Sequence, residues 1–132
     1  MPCNSLGNAT IIQRPSIIVI DLKSDVVLRR YEIDEDVTRD GLGLASITVD
    51  AGDCTKTFAY LPDLMYSKIV IYSYEENRAY SMQHNFFHMN PHEGDFNVDN
   101  LKFSWDDGIF SIALSSPDTN GIRTAFFFFF FR

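Results

Sequence analysis

The side chains best equipped for chemistry fall in a few short stretches of this 132-residue chain. His84, His88 and His92 recur every four residues, which places them on one face of a helix or a strand. With Glu93 and Asp95 as ligand or supporting carboxylates, they have the donor types of a zinc site. Asn90-Pro91 breaks any regular element between the second and third histidine, so the expectation is a solvated rim loop and no metal. Asp106-Asp107-Gly108 follows Trp105 and precedes the apolar run at 109–115. Its carboxylates could pair with a ligand ammonium while Tyr and Phe rings cover the ligand. The plainer reading is an Asp-Gly turn in which Asp106 caps the backbone amides.

Other polar groups suggest less. Pro62-Asp63 reads as turn chemistry, and Glu35-Asp36 and Glu75-Glu76 as solvated loops. Cys3 and Cys54 allow one disulfide and no four-cysteine zinc site. Asn8-Ala9-Thr10 is a glycosylation sequon, meaningful only in an exported chain. A Gly-rich phosphate loop, a GxSxG elbow and a Cys/His dyad spacing are all missing, so nucleotide chemistry and hydrolysis have no support and no cofactor is expected.

Composition narrows the class further. The length predicts one domain or a piece of a larger one. At 45% hydrophobic, 14% aromatic and 22% charged residues, the chain is too apolar for a disordered tail. Eleven Lys and Arg against eighteen Asp and Glu leave a formal charge of −7, which a phosphate backbone repels, so nucleic acid is not an expected partner. No run approaches the length of an apolar membrane span, and residues 1–10 lack the basic start and apolar core of a signal peptide.

The elements that must position these groups read as strands. Residues 16–22 (SIIVIDL) and 26–33 (VVLRRYEI) flank Lys23-Ser24-Asp25 and predict a hairpin. Residues 45–50 alternate apolar and polar, with residues 57–61 (TFAYL) as their partner after Ala51-Gly52-Asp53. Residues 68–74 (KIVIYSY) are apolar on both parities, which predicts a central strand covered on both faces. Residues 78–83 follow the turn at Glu75-Glu76-Asn77. These four strands predict one antiparallel meander with the strand count of a β-propeller blade. Residues 16–33 then resemble the outer strands of a preceding blade, and residues 109–131 the opening strands of a following one. Residues 84–105 read as a long rim connection.

The order of these features resembles the insect Yellow and major royal jelly protein family. The resemblance rests on residues 14–23 (RPSIIVIDLK), 28–31 (LRRY), 45–50 (ASITVD), 58–63 (FAYLPD), 69–74 (IVIYSY), 94–98 (GDFNV), 105–115 (WDDGIFSIALS) and 121–124 (GIRT). It runs in order from about residue 6 to residue 124. The resemblance implies an all-β fold, a partial six-bladed β-propeller with about two to three blades' worth of antiparallel strands, so that residues 1–132 form an incomplete propeller domain and an internal fragment. Two features depart from the family pattern. Arg14 stands where many relatives have a cysteine before proline, so Cys3 becomes the expected disulfide partner of Cys54. Residues 126–131 are six phenylalanines where relatives turn to Leu-Tyr-Phe-His-Pro. A thymine-rich codon tract of this kind resembles the end of an intron, and the other reading is a very apolar strand.

Function follows from the resemblance alone. It implies a secreted protein of cuticle pigmentation and melanin chemistry that binds small aromatic amines or catechol derivatives, for which the residue readings above offer Asp106 and Asp107 as ligand contacts and Asn8 as a glycosylation site. A dopachrome-converting isomerase is the second expectation and a structural or nutritive royal-jelly protein the third. Propellers host unrelated activities, so the fold does not choose among them.

Overall fold

Short β-branched and aromatic runs become strands throughout the computed structural model, which describes residues 13–38, 42–52, 56–88, 94–105, 107–116 and, by backbone alone, 125–128. Strands β1 (Ser16–Asp21) and β2 (Val26–Glu32) form an antiparallel hairpin. A single helical turn, α1 (Glu35–Thr38), follows. Strands β3 (Thr48–Asp50), β4 (Phe58–Asp63), β5 (Lys68–Ser73) and β6 (Arg78–Gln83) form the expected four-stranded antiparallel meander in sequence order. A hairpin of β7 (Asp95–Val98) and β8 (Leu101–Ser104) comes next, then β9 (Ser111–Leu114) paired antiparallel with β10 (Ala125–Phe128). The arrangement is an arc of a β-propeller: one complete blade between the outer pair of the blade before it and the inner pair of the blade after it.

The complete blade shows why β5 is apolar on both parities. Val70 and Tyr72 join Ala59, Leu61 and Ala79 in a cluster against Ile17, Tyr31 and Ile33 of the preceding hairpin. Ile69 faces the other way, with Phe87, Ile109 and Ile112 on the side of the following blade. Each face of the sheet is therefore the floor of a separate apolar core.

Two boundaries differ from the sequence expectation. The alternating run at 45–50 pairs regularly only from Thr48, because Pro62 lies opposite its first half. Pro62 carries no N–H, and its carbonyl accepts from Ala45 N at 3.1 Å, so the β3 side of β4 lacks a donor there. The connection at 84–105 contains a 3-10 turn at Asn85–Phe87 and the β7–β8 hairpin. Asp99 and Asn100 sit at φ 50° and 68°, the paired left-handed conformations of a two-residue hairpin turn. The signal was present in the alternation of Phe96 and Val98 with Leu101 and Phe103 around Asp-Asn.

Candidate functional site

The inner strands β3 and β9 lie alongside each other, joined by side chains rather than by a ladder. Thr48 Oγ1 donates to the Ile112 carbonyl at 2.6 Å, and Ser46 Oγ donates to that of Phe110 at 3.3 Å. The β4–β5 turn at 64–67 ties both lead-in segments together. Leu64 N donates to Gly43 O at 3.1 Å, and Gly108 N donates to Leu64 O at 2.7 Å. A Cβ on Gly108 would stand 2.6 Å from Ser67 Oγ and 2.8 Å from the Phe87 carbonyl, so only glycine admits this approach. Gly108 therefore serves close packing between blades, and the Asp106 that the expected Asp-Gly turn requires lies outside the described residues.

Asp63 organises this rim. Its carboxyl is fully buried, and Oδ1 accepts from Gly43 N at 3.0 Å and from Met65 N and Tyr66 N at 3.2 Å each. Lys68 Nζ lies 4.0 Å from Oδ2 and donates to the Val37 carbonyl of α1 at 3.0 Å. Burial pushes the Asp63 carboxyl above its ordinary value, against the opposing pull of the three amides and the ammonium. Pro62 and Asp63 are the last residues of β4 rather than part of the turn itself, and the Asp63 carboxylate both caps the turn's amides and anchors the turn to α1 through Lys68.

Asp107 is half-buried on the same rim, next to Gly108 and the fully buried Ile109. A half-buried carboxylate next to an apolar core can hold an ammonium in a partly desolvated setting, where its attraction exceeds that in bulk water. His84 acts locally, since its Nδ1 accepts from Phe86 N at 3.2 Å to cap the 3-10 turn, and its ring stacks on Phe86 with centroids 4.9 Å apart. His88 closes that turn by donating its N–H to Asn85 O at 3.3 Å. Asp95 is exposed at the start of β7. Glu35 and Asp36 are exposed on α1, and Glu75 and Glu76 lie in the β5–β6 turn. Cys3, Asn8, Cys54, His92, Glu93 and Asp106 lie outside the described residues.

A second constellation, not anticipated from the sequence, joins the first hairpin to the blade. The Tyr31 and Tyr72 rings lie 5.0 Å apart. Tyr31 Oη donates to Asp34 Oδ2 at 2.5 Å and accepts from Ala79 N at 2.9 Å. Arg29 stacks on Tyr74, 3.9 Å from the ring centroid, and donates to the Tyr74 carbonyl. Burial first, and the Asp34 bond next, raise the Tyr31 phenol above its usual value. Arg29 and Tyr31 on β2 lie more than forty positions from Tyr72, Tyr74 and Ala79, so no local pattern pairs them.

Comparison with known proteins places these features in a family. Residues 3–130 match the model of the family described as "Major royal jelly protein". The chain is 42% identical over 123 residues to the Drosophila melanogaster protein named L-dopachrome tautomerase yellow-f, covering 92% of this chain and 29% of that protein. It is 36% identical over 126 residues to Protein yellow of Drosophila melanogaster, and 35% identical over the same length to Protein yellow of Drosophila yakuba, with 92% of this chain and 23% of each relative covered. The chain thus spans less than a third of the length of these relatives. With the family's ordered motifs folded into one blade and two half-blades, the chain belongs to the major royal jelly protein family.

Proposed function

We propose that this chain is part of an extracellular Yellow-type propeller, linked to pigmentation, that binds small aromatic amines or catechol derivatives. The observation that carries the reading is the half-buried Asp107 where the lead-in to β9 meets the β4–β5 turn. Asp106 and Asp107 supply carboxylates for a ligand ammonium, and aromatic side chains from further blades cover its ring. Calorimetry with dopamine on a protein of the relatives' full length is the direct test. Saturable binding weakened about tenfold by Asp107→Asn supports the reading, by the loss of about 1.4 kcal/mol expected of one charge-assisted contact. Binding that Asp107→Asn leaves unchanged removes this carboxylate from the site.

The alternative is a dopachrome-converting isomerase, favoured by the 42% identity to the protein named L-dopachrome tautomerase yellow-f. Such a reaction moves a proton from ring-side carbon to oxygen and needs a positioned acid or base. Loss of dopachrome colour faster than in buffer, at a rate proportional to enzyme concentration, would support it. A structural or nutritive protein would neither bind nor turn over.

Export carries two further proposals: a Cys3–Cys54 disulfide and a glycan on Asn8. Mass spectrometry of secreted material under non-reducing conditions should find both cysteines in one bridge. Two free thiols would dismiss the pairing.

A further inference from the structure

Among the described residues, the groups that hold the Asp63 carboxylate lie at the rim of the blade. Oδ1 accepts from the amides of Gly43, which leads into β3, and of Met65 and Tyr66 in the β4–β5 turn. Oδ2 is buried without a hydrogen bond and faces the Lys68 ammonium at 4.0 Å. The capped turn then holds the lead-in to β9. Its Leu64 carbonyl accepts from Gly108 N at 2.7 Å, and a Cβ on Gly108 would stand 2.6 Å from Ser67 Oγ and 3.1 Å from Ser67 Cα.

Gly108 passes this constraint one residue back. The peptide between Asp107 and Gly108 is planar, so the Gly108 N–H and the Asp107 Cα belong to one rigid unit. The bond that aims that N–H at the Leu64 carbonyl therefore also sets the plane from which the half-buried Asp107 side chain springs. A carboxylate suits the far end of this path because it accepts on both oxygens, with the amides on one and the ammonium facing the other. An asparagine has one acceptor oxygen, so whichever way it turns, its NH2 confronts either the amides or the ammonium. The apolar cluster on each side of the blade is built without Asp63, so Asp63→Asn loosens the turn and leaves the packing of both sheet faces in place.

We infer that Asp63 is a positioning residue for the ligand site: it fixes the β4–β5 turn, the turn fixes the Gly108 amide, and the peptide plane sets Asp107, with no contact between Asp63 and the ligand. This role rests on the reading of Asp107 as the partner of a ligand ammonium. Such a contact depends on distance and direction, so a small misplacement of the carboxylate forfeits much of its effect.

The test uses a protein of the relatives' full length that contains this chain, and it has two readouts. Hydrogen exchange by mass spectrometry should be about tenfold faster over residues 107–110 in Asp63→Asn, and unchanged over β5 and β6. A rise at 107–110 no larger than that over β5 and β6 would overturn the inference. In calorimetry, Asp63→Asn should weaken dopamine binding by up to about tenfold, the limit set by Asp107→Asn, and should weaken it no further where Asp107→Asn is already present. Losses that multiply in the double variant would mean that Asp63 acts on its own and would overturn the inference. Tyr31→Phe, which loosens the contact with the first hairpin, should bind dopamine as the wild type does; an equal loss there would assign the effect to stability alone and overturn it too. Should Asp63→Asn not fold, Gly108→Ala pushes the same lead-in off the turn with Asp63 intact, and unchanged affinity in that variant would break the path. If the wild type binds no dopamine, or Asp107→Asn leaves binding unchanged, the reading of the site fails, and hydrogen exchange alone decides whether Asp63 sets the Asp107 segment.

Discussion

Asp63 ties the rim together, because one buried oxygen accepts three amides from two segments. Asp63→Ala leaves those amides and Lys68 without it, and should lower stability by about 3 kcal/mol or more in urea unfolding. The pH dependence has a defined sign. Burial holds the folded pKa above 3.8, so the native state binds this proton more tightly than the unfolded chain does. That advantage is complete below 3.8 and fades as pH rises through the folded value. Relative to Asp63→Asn, the wild type should therefore lose stability as pH rises through that window, which urea midpoints across acidic pH would show. That the Asp63 carboxylate serves the neighbouring turn was legible from residue type, while its place at the end of β4 was not. Burial of its charge was not, because the Lys68 contact to Val37 spans distant parts of the chain. At Gly108 the spatial neighbours Ser67 and Phe87 demand glycine, which no local pattern shows.

At the scale of elements, equivalent strands differ in what covers them. Ile69 on β5 is 1% exposed, and Ile69→Ala should cost about 2–5 kcal/mol through lost burial and the cavity left behind. Ile18 on β1 lies half in solvent, and in dilute protein Ile18→Ala should stay within about 0.5 kcal/mol of wild type. Equal losses for the two substitutions would mean that β1 is covered as β5 is. Tyr31→Phe removes the hydroxyl that accepts from Ala79 N and donates to Asp34, and should cost about 1–2 kcal/mol in the same measurement. The strands themselves were legible because apolar period and turn residues are local. The shortening of β3 and the presence of the β7–β8 hairpin depended on a cross-strand proline and on left-handed turn residues.

For the whole molecule, one apolar run bears on the solution behaviour. An apolar, uncharged run such as residues 126–131 meets the description of an aggregation-prone segment. Deleting residues 125–132 should lower light scattering at equal concentration, since it removes that run. Unchanged scattering after the deletion would place the association elsewhere. A propeller channel is built from all its blades, so the 132-residue protein alone should show no micromolar affinity for dopamine by calorimetry. Saturable binding by a monodisperse monomer would mean that one blade and two half-blades suffice for the site.

The all-β class, the four-strand meander, the central place of β5 and the family could all be read from the order of residues, because each rests on residue type, short-range period or ordered motifs. The tertiary structure alone decided how those strands are used. Buried Asp63 between two loops, the Tyr31–Tyr72 contact between sheets, and the approach of Gly108 to the β4–β5 turn all join residues far apart in the chain. The same holds for β1 and β5. Ile18 and Val70 occupy equivalent strand positions, yet one meets solvent and the other a core, because burial is set by the neighbouring sheet and not by the strand's own pattern.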